Sequence, residues 1–239
     1  MKKILFIVFI LLFDFRFVFS QSLNEAAEKY KNGDYKQALE IYQKLNDGEN
    51  PYLIYNIGNC HYKMGDKTTA LSQYIKAFKI LPRDARIKEN MLKAAGDNGE
   101  ILFSKDIPDF AYSVYYFFSD NELSALFELF FAIFVFLIVT NTKRKDNSLM
   151  SYIVISAFLF SIFGVWHMMR KNSIFHNPGV IAQETDVLSG PKNNFNTLAT
   201  VPKGRVVTVL SENDDYFEIG IPKDNIKGWV KKEDLIKID

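Results

Sequence analysis

The sequence has little of the chemistry that metal centres and disulfide frameworks need. Its 239 residues include one cysteine, Cys60, and three histidines. A single cysteine cannot form an internal disulfide, and the histidines are too scattered along the chain to predict a metal site. We expect Cys60 to be a small buried apolar residue rather than a nucleophile.

Sequence motifs of catalysis are missing as well. The chain has no P-loop, nucleophile elbow, HExxH or CxxC pattern. Its 29 basic and 28 acidic side chains nearly cancel, which gives a formal charge of +1, and no basic stripe runs through a polar block. The sequence therefore argues against nucleic acid as a partner, and it predicts a protein that is not an enzyme and uses no cofactor.

What the sequence does have is an uneven distribution of apolar residues. Most of its 22 phenylalanines fall in the first twenty residues or between Phe103 and Phe175. The two stretches left over are polar and rich in charge. This distribution predicts two soluble domains separated by membrane segments.

Residues 1–20 have the order of a secretory signal peptide. Lys2 and Lys3 precede an apolar run, and a cleavage point is expected after Ser20. Asp14 and Arg16 interrupt the end of that run, so it makes a poor membrane span. An uncleaved anchor is the alternative that the sequence leaves open.

A short pattern recurs in the first polar block. The run at residues 31–39 returns at residues 63–71, an offset of 32 positions, and the same offset relates Tyr30 to Tyr62. The pattern resembles the tetratricopeptide repeat, a helix-turn-helix unit of about 34 residues.

The resemblance implies an all-α domain of helical hairpins over residues 21–96. Its two repeats are expected at about 22–50 and 51–84. Residues 85–95 have apolar side chains at helical spacing and predict a capping helix, which Gly96 ends.

In tetratricopeptide proteins the first helix of each repeat lines a concave groove. The resemblance therefore implies a peptide-binding groove, in which tyrosine rings give contact area and asparagines hold the backbone of an extended ligand. The expected groove residues are Tyr30, Tyr52, Tyr55, Asn56, Asn59, Tyr62 and Lys63. The open alternative is that several of these tyrosines only pack between the repeats.

Two apolar stretches predict a membrane hairpin. Residues 123–140 reach about 27 Å as a helix, near the thickness of a bilayer core, and residues 149–169 are also long enough. The loop between them, 141–148, is basic, and the positive-inside rule places it in the cytoplasm. Both soluble domains are then expected on the periplasmic side of a bacterial inner membrane, which agrees with export by residues 1–20.

The segment before the hairpin, 97–122, is expected to be a linker that carries an interfacial aromatic belt. The belt residues are Tyr112, Tyr115, Tyr116, Phe117 and Phe118. Glu128 lies about a turn inside the first span. Its carboxylate either pairs with a partner's helix or is shallow enough to reach the lipid headgroups.

After a linker at 170–179 the pattern changes to short β-type runs, which predict an all-β barrel over residues 180–239. The expected strands are 180–182, 206–210, 216–221, 229–230 and 235–238. The motifs at 187–191 and 228–230 resemble the bacterial SH3 domain. This resemblance implies a ligand groove lined by Tyr216 and Trp229, with Phe195 beside them, unless Trp229 lies in the core.

The complete order of signal, repeats, membrane hairpin and SH3-like barrel resembles the BatE family of the bacterial aerotolerance (Bat) operon. The resemblance implies an envelope scaffold with a part in aerotolerance or envelope stress tolerance. Its expected partners are von Willebrand factor A-type membrane proteins, a MoxR-type ATPase reached through them, and membrane lipid. One alternative is a cell-wall-binding sensor or tether whose barrel binds glycan. Another is a structural membrane protein with no ligand of its own.

Overall fold

The computed structural model describes residues 20–96, 102–103, 107–144, 147–192, 194–221 and 224–238. Except for Ser20, the predicted signal peptide 1–20 lies outside these residues, and so does Lys145 of the predicted basic loop. Helices occupy the chain as far as Arg170, and strands begin at Pro178.

The repeat domain is built of helices that pack as hairpins. The helices are α1 (20–31), α2 (Tyr35–Leu45), α3 (Pro51–Lys63), α4 (Lys67–Ile80) and α5 (Ala85–Ala95). The first pair packs α1 on α2 and the second packs α3 on α4, while α5 covers α4. The structure thus contains the helical hairpins and the capping helix that the repeat pattern predicts.

Local side-chain chemistry sets where these helices begin. The side chain of Asn50 accepts a hydrogen bond from the backbone N–H of Tyr52 at 3.0 Å, and Asp66 accepts one from Thr69 at 3.1 Å. Asp84 caps α5 in the same way. These caps satisfy backbone donors that have no partner in the first turn of a helix.

A second helical unit follows the repeats. It consists of the short helix α6 (Asp109–Tyr115) and the long helices α7 (Asp120–Arg144) and α8 (Met150–Arg170). The long helices pack along each other, with the rings of Phe130 and Phe163 stacked at 5.4 Å. Both are long and apolar enough to cross a membrane, and they overlap the two predicted spans.

The C-terminal domain is a seven-stranded antiparallel sheet in the order β3-β2-β6-β5-β4-β1-β7. Its strands are β1 (Pro178–Ile181), β2 (Thr185–Leu188), β3 (Thr197–Val201), β4 (Val206–Glu212), β5 (Tyr216–Ile221), β6 (Ile226–Lys231) and β7 (Leu235–Lys237). Sequence patterning predicted five strands and missed β2 and β3. Both are short and have one buried side chain each, so alternation of apolar and polar residues is weak there.

One apolar core continues from the repeats into the sheet. Four buried rings lie at its centre, with centroids 5.1 to 5.9 Å apart in every pair, and we call them the aromatic junction: Phe78, Phe103, Tyr116 and Phe175. The same core includes the sheet residues Val180, Val206 and Ile238. The repeat domain and the sheet are therefore packed together, although Phe175 falls in the predicted linker 170–179.

Arg170 ties the ends of the three membrane-proximal helices together. It is only 3% exposed, and it donates hydrogen bonds to the backbone oxygens of Tyr115 (3.0 Å) and Phe118 (3.2 Å). Its guanidinium lies 4.4 Å from the ring centre of Tyr116 and 2.8 Å from Asp120, an ion pair by distance whose angles fall outside hydrogen-bond geometry. A buried cation in this position holds α6 and α7 against the end of α8.

Candidate partner-binding surfaces

The first helices of the repeats enclose a small cavity, which we call the groove cavity. Its volume is about 170 Å³, and its lining residues are Tyr30, Asn59, Tyr62, Lys63, Tyr74, Asn90 and Lys93. Four of the predicted groove residues therefore meet in one place, on α1 and α3. The other lining residues come from α4 and α5.

A hydrogen-bond network fixes the floor of the groove cavity. The hydroxyl of Tyr74 donates to Asn59 Oδ1 at 2.8 Å, and the side-chain amide of Asn90 donates to the same oxygen at 3.1 Å. Asn90 also donates to the hydroxyl of Tyr55 at 2.7 Å. Because both donors use the oxygen of Asn59, its NH₂ group remains as a donor for a ligand.

The remaining predicted groove residues have other positions. Tyr55 packs its ring 5.6 Å from that of Tyr74, so it belongs to the contact between helices that the alternative interpretation described. Tyr52 is exposed in the first turn of α3, with the guanidinium of Arg86 6.0 Å from its ring centre. Asn56 is half-buried on the same helix.

Electrostatics make the groove cavity a site for hydrogen-bond acceptors. Burial raises the pKa of Tyr30 to about 12 and also raises the pKa of Tyr74, so both hydroxyls stay neutral. A hydrogen bond from Lys93 to Glu89 raises the pKa of the Lys93 ammonium. No carboxylate is among the residues that line this cavity, and Lys63 supplies a second cation. Such walls suit the carbonyl or carboxylate oxygens of a peptide.

Sequence reasoning missed Asn90 and Lys93 because it treated α5 as a cap only. A signal for them was available, since a repeat spacing of about 34 residues carries Asn56 onto Asn90. The capping helix therefore serves as the first helix of an incomplete third repeat and contributes one wall of the cavity.

The sheet presents a second surface on the face opposite its core. Phe217 on β5 and Val230 on β6 point into the buried core. Side chains alternate along a strand, so Tyr216 and Trp229 point to the opposite face, where Tyr216 is buried and only 7% exposed. The register pairs Trp229 with Glu218 there. Trp229 is half-buried and stands outside the core residues of the sheet.

Two clefts adjoin this face and share Lys231 and Glu233. The larger one, of about 560 Å³, is polar and is lined in part by Phe195 and Asp234. The smaller one, of about 410 Å³, is lined in part by Tyr216. The predicted SH3-like groove is thus divided, because Tyr216 and Phe195 line different clefts and Trp229 lines neither of them.

The described residues of these surfaces include neither a group of metal ligands nor a reactive thiol. Across the described ranges, no three His, Cys, Asp or Glu side chains are grouped so that they could hold a metal ion. Cys60 is buried between the repeats, and burial raises the pKa of its thiol to about 11. A thiol that stays protonated is a poor nucleophile.

Residues 184–236 match the family model described as bacterial SH3 domain. The match covers β2 to β6 and the start of β7, which confirms the sequence-based resemblance for this domain. No curated protein matches the chain.

Among solved structures, the type III secretion chaperone SycD of Yersinia enterocolitica is similar, both in complex with a peptide of the translocator YopD and alone. Each comparison gives 21% identity and a TM-score of 0.32 over 34% of this chain, with 64% and 63% of the chaperone covered. The chain thus spans less than two thirds of SycD. PcrH, in complex with the chaperone-binding region of PopD, is 12% identical with a TM-score of 0.34, over 63% of this chain and 93% of its own. We base no conclusion on similarities of this size.

Proposed function

We propose that the protein is a non-enzymatic membrane adaptor that binds a segment of a partner protein in its repeat groove. The helices α7 and α8 anchor it, and the repeat domain and the SH3-like sheet stand together at one end of this hairpin. In this proposal the anchor lies in a bacterial inner membrane, with both soluble domains in the periplasm, since the basic loop at 141–148 favours the cytoplasm.

The observation that carries the proposal is the prearranged donor set of the groove cavity. Asn59 is oriented by Tyr74 and Asn90, so it loses little conformational freedom when it binds a ligand oxygen. The rings of Tyr30 and Tyr62 give contact area beside it. A site with fixed donors and aromatic walls suits an extended peptide better than a small-molecule reaction.

Site-specific photocrosslinking in native membranes tests this proposal. A photoreactive residue at Lys63, which lines the groove cavity, should capture a partner protein. The matched position is Lys36, an exposed lysine on α2 outside the cavity. Adducts at position 63 with none at position 36 are expected, and mass spectrometry identifies them.

The substitution Asn59→Asp makes this test specific. An aspartate keeps the oxygen that accepts from Tyr74 and Asn90, so the network is preserved, but it replaces the donor NH₂ by an acceptor. Adducts at position 63 should fall at least several-fold. Equal adducts with and without the substitution, or equal adducts at position 36, would contradict a groove-bound partner.

The finer form of this proposal is a role of BatE type. Its partners would be von Willebrand factor A-type membrane proteins, with a MoxR-type ATPase recruited through them, in aerotolerance or envelope stress tolerance. The order of domains along the chain supports it. Identification of such proteins among the adducts at position 63 is the expected result, and adducts of unrelated envelope proteins alone would contradict it.

A second candidate function is binding of cell-wall glycan by the barrel, which the SH3 match and the two polar clefts favour. Deletion of the barrel is a poor test, because Val180, Val206 and Ile238 belong to the core shared with the repeats. The substitution Phe195→Ala, which removes a ring that lines the larger cleft, is better. Retention of the intact protein on purified cell wall, and its loss with this substitution, would support this function over the adaptor.

A further inference from the structure

The short helix α6 and the two residues after it have one face packed on the protein and one face that is largely exposed among the described residues. Tyr112 and Tyr116 are on the inner face, where Tyr116 joins the aromatic junction and Tyr112 contacts Phe103 edge-on and stacks on Tyr116. On the other face, Phe110 is 79%, Val114 46% and Phe117 49% exposed. We call Phe110, Val114 and Phe117 the outer stripe. The predicted aromatic belt is therefore divided, with its tyrosines turned inward.

The outer stripe continues the apolar surface of the membrane hairpin. The ring of Phe117 lies 4.9 Å from that of Phe118, which in turn contacts Phe163 and Trp166 of α8 at 6.1 and 5.7 Å. The indole N–H of Trp166 donates to the backbone oxygen of Tyr115 at 3.1 Å, so α6 is fixed to the end of α8. An apolar path thus runs from inside the span to the stripe without a polar break.

Two cations lie beside the stripe, and each has a carboxylate partner: Arg83 pairs with Glu122 at 2.7 Å and Lys88 with Asp109 at 3.3 Å. Arg83 donates to the backbone oxygen of Phe117 at 3.1 Å and covers its ring at 5.3 Å. Lys88 lies 4.7 Å from the ring centre of Phe103. Both line a cavity of about 390 Å³ whose other walls are mainly aromatic. Long cationic side chains next to an exposed apolar surface suit the boundary between acyl chains and headgroups.

We infer that the outer stripe is a lipid-binding foot, which sits in the phospholipid leaflet on the side of the soluble domains, with Arg83 and Lys88 at the height of the phosphates. This inference rests on the proposed membrane anchor. A foot at this place fixes the height and tilt of the joined repeat domain and sheet, because α6 is part of their common core. The groove cavity is then held in a constant orientation to the bilayer.

Depth measurements with spin labels on the full chain in lipid nanodiscs test the foot. Nitroxides are placed by Phe110→Cys in the stripe, Phe158→Cys on the exposed surface of α8 and Leu198→Cys on the edge strand β3. The buried thiol of Cys60 need not be removed. Position 110 should collide with oxygen several-fold more than with a water-soluble nickel chelate, at a depth of about 5–10 Å. Position 198 should show the opposite preference.

The three positions separate failure of the foot from failure of the anchor. If position 110 behaves like position 198 while position 158 lies deep in the bilayer, the foot is overturned and the anchor stands. If position 158 is also in contact with water, the membrane anchor itself fails.

The phosphate contact has its own test. In nanodiscs with anionic phosphatidylglycerol, the label at position 110 should lie deeper than in phosphatidylcholine alone, and Lys88→Gln should abolish the difference. The matched control is Lys93→Gln, which changes a lysine of the groove cavity and should leave the difference intact. Equal depth in both lipids for the unsubstituted protein would overturn the role of the two cations.

Discussion

The hairpins of α1 with α2 and of α3 with α4 make the same turn but have different surroundings. In the first turn Gly33 has a φ of +87° and in the second Gly65 has +89°. The backbone hydrogen bond from Gly33 to Tyr30 measures 3.2 Å, and the one from Gly65 to Tyr62 measures 3.1 Å. Glycine suits both turns because other residues rarely adopt a positive φ.

The cores behind these two turns differ. The core of the first hairpin combines two alanines, Ala26 and Ala38, with Tyr42 and with buried side chains of α3. The second hairpin belongs to the core that includes the aromatic junction and the sheet. Through α4, the second repeat also packs on β1 and α7, whereas the described residues of the first repeat pack on α3.

The difference shows that the sequence of a repeat does not by itself determine how much the repeat contributes to the stability of the protein. Equivalent positions have the same local geometry. The unfolding free energy lost on substitution, however, depends on which residues the second helix of the repeat contacts. Substitutions at matched positions of the two hairpins can test this comparison directly.

The largest expected effect is at the junction, with Phe175→Ala. Truncation of a fully buried phenylalanine costs about 3–5 kcal/mol of unfolding free energy. Hydrogen exchange measured by mass spectrometry should show that α4 and β1 lose protection together, because both border the same core. The control is Leu198→Ala, a half-exposed side chain on the edge strand β3 and outside this core, which should lose much less unfolding free energy.

Loss of protection in only one of the two elements, α4 or β1, would contradict this expectation. It would mean that the second repeat and the sheet do not share one cooperative core.

The next effect is expected from Gly58→Ala. A Cβ at this position would lie 2.8 Å from the ring of Tyr74, which is held by its bond to Asn59. Overpacking of this kind costs about 1–3 kcal/mol, more than the 0.5–1 kcal/mol that alanine gains over glycine within a helix. Thermal or denaturant unfolding should show net destabilisation.

The first repeat supplies the matched position, since the offset of 32 relates Gly58 to Ala26. The reverse substitution Ala26→Gly should cost about 0.5–1 kcal/mol through helix propensity. If Gly58→Ala stabilises the protein instead, both repeats tolerate alanine at this position. The close approach of the new Cβ to Tyr74 would then not determine the change in stability.

A smaller effect separates the caps of the second helices. Asp66 accepts a hydrogen bond from the backbone of Thr69, whereas Asp34 makes no such side-chain cap. Replacement of a cap residue by alanine costs about 1 kcal/mol, so Asp66→Ala should destabilise by this amount and Asp34→Ala by much less. Denaturant unfolding of the two variants in parallel measures the difference, and equal losses would contradict it.

The smallest effect is the dependence of this cap on pH. Burial opposes ionisation of Asp66, but the hydrogen bonds from Thr69 and the nearby His61 outweigh it and lower the pKa from its ordinary value of 3.8. The carboxylate's contribution is therefore complete above the unfolded pKa and is lost as the pH falls through the lower, folded pKa. The stability difference between the original protein and Asp66→Asn should fade below about pH 4. A difference that persists at lower pH would exclude ionisation as its source.

Part of the groove was predictable from the sequence. Tyr30 and Tyr62 are related by the repeat offset, and Asn59 and Lys63 lie on the same helix, so a helical period brings them to one side. Tyr55 also follows that period, and only the position of Asn90 decides that its hydroxyl accepts a hydrogen bond within the protein. The division of the SH3-like groove likewise depends on strand pairing that short runs do not reveal.

The sequence by itself determined the elements that depend on local periodicity. The hairpin turns, the apolar spans and five of the seven C-terminal strands follow from patterns of neighbouring residues, and the offset of 32 made the two repeats visible. Only the tertiary structure decided that Phe78, Phe103, Tyr116 and Phe175 meet in one core. These residues are up to about a hundred positions apart, and no local pattern distinguishes a ring that faces lipid from one that faces another ring. The repeats, the sheet and the hairpin of α7 and α8 are held together by contacts between segments that are distant in the sequence.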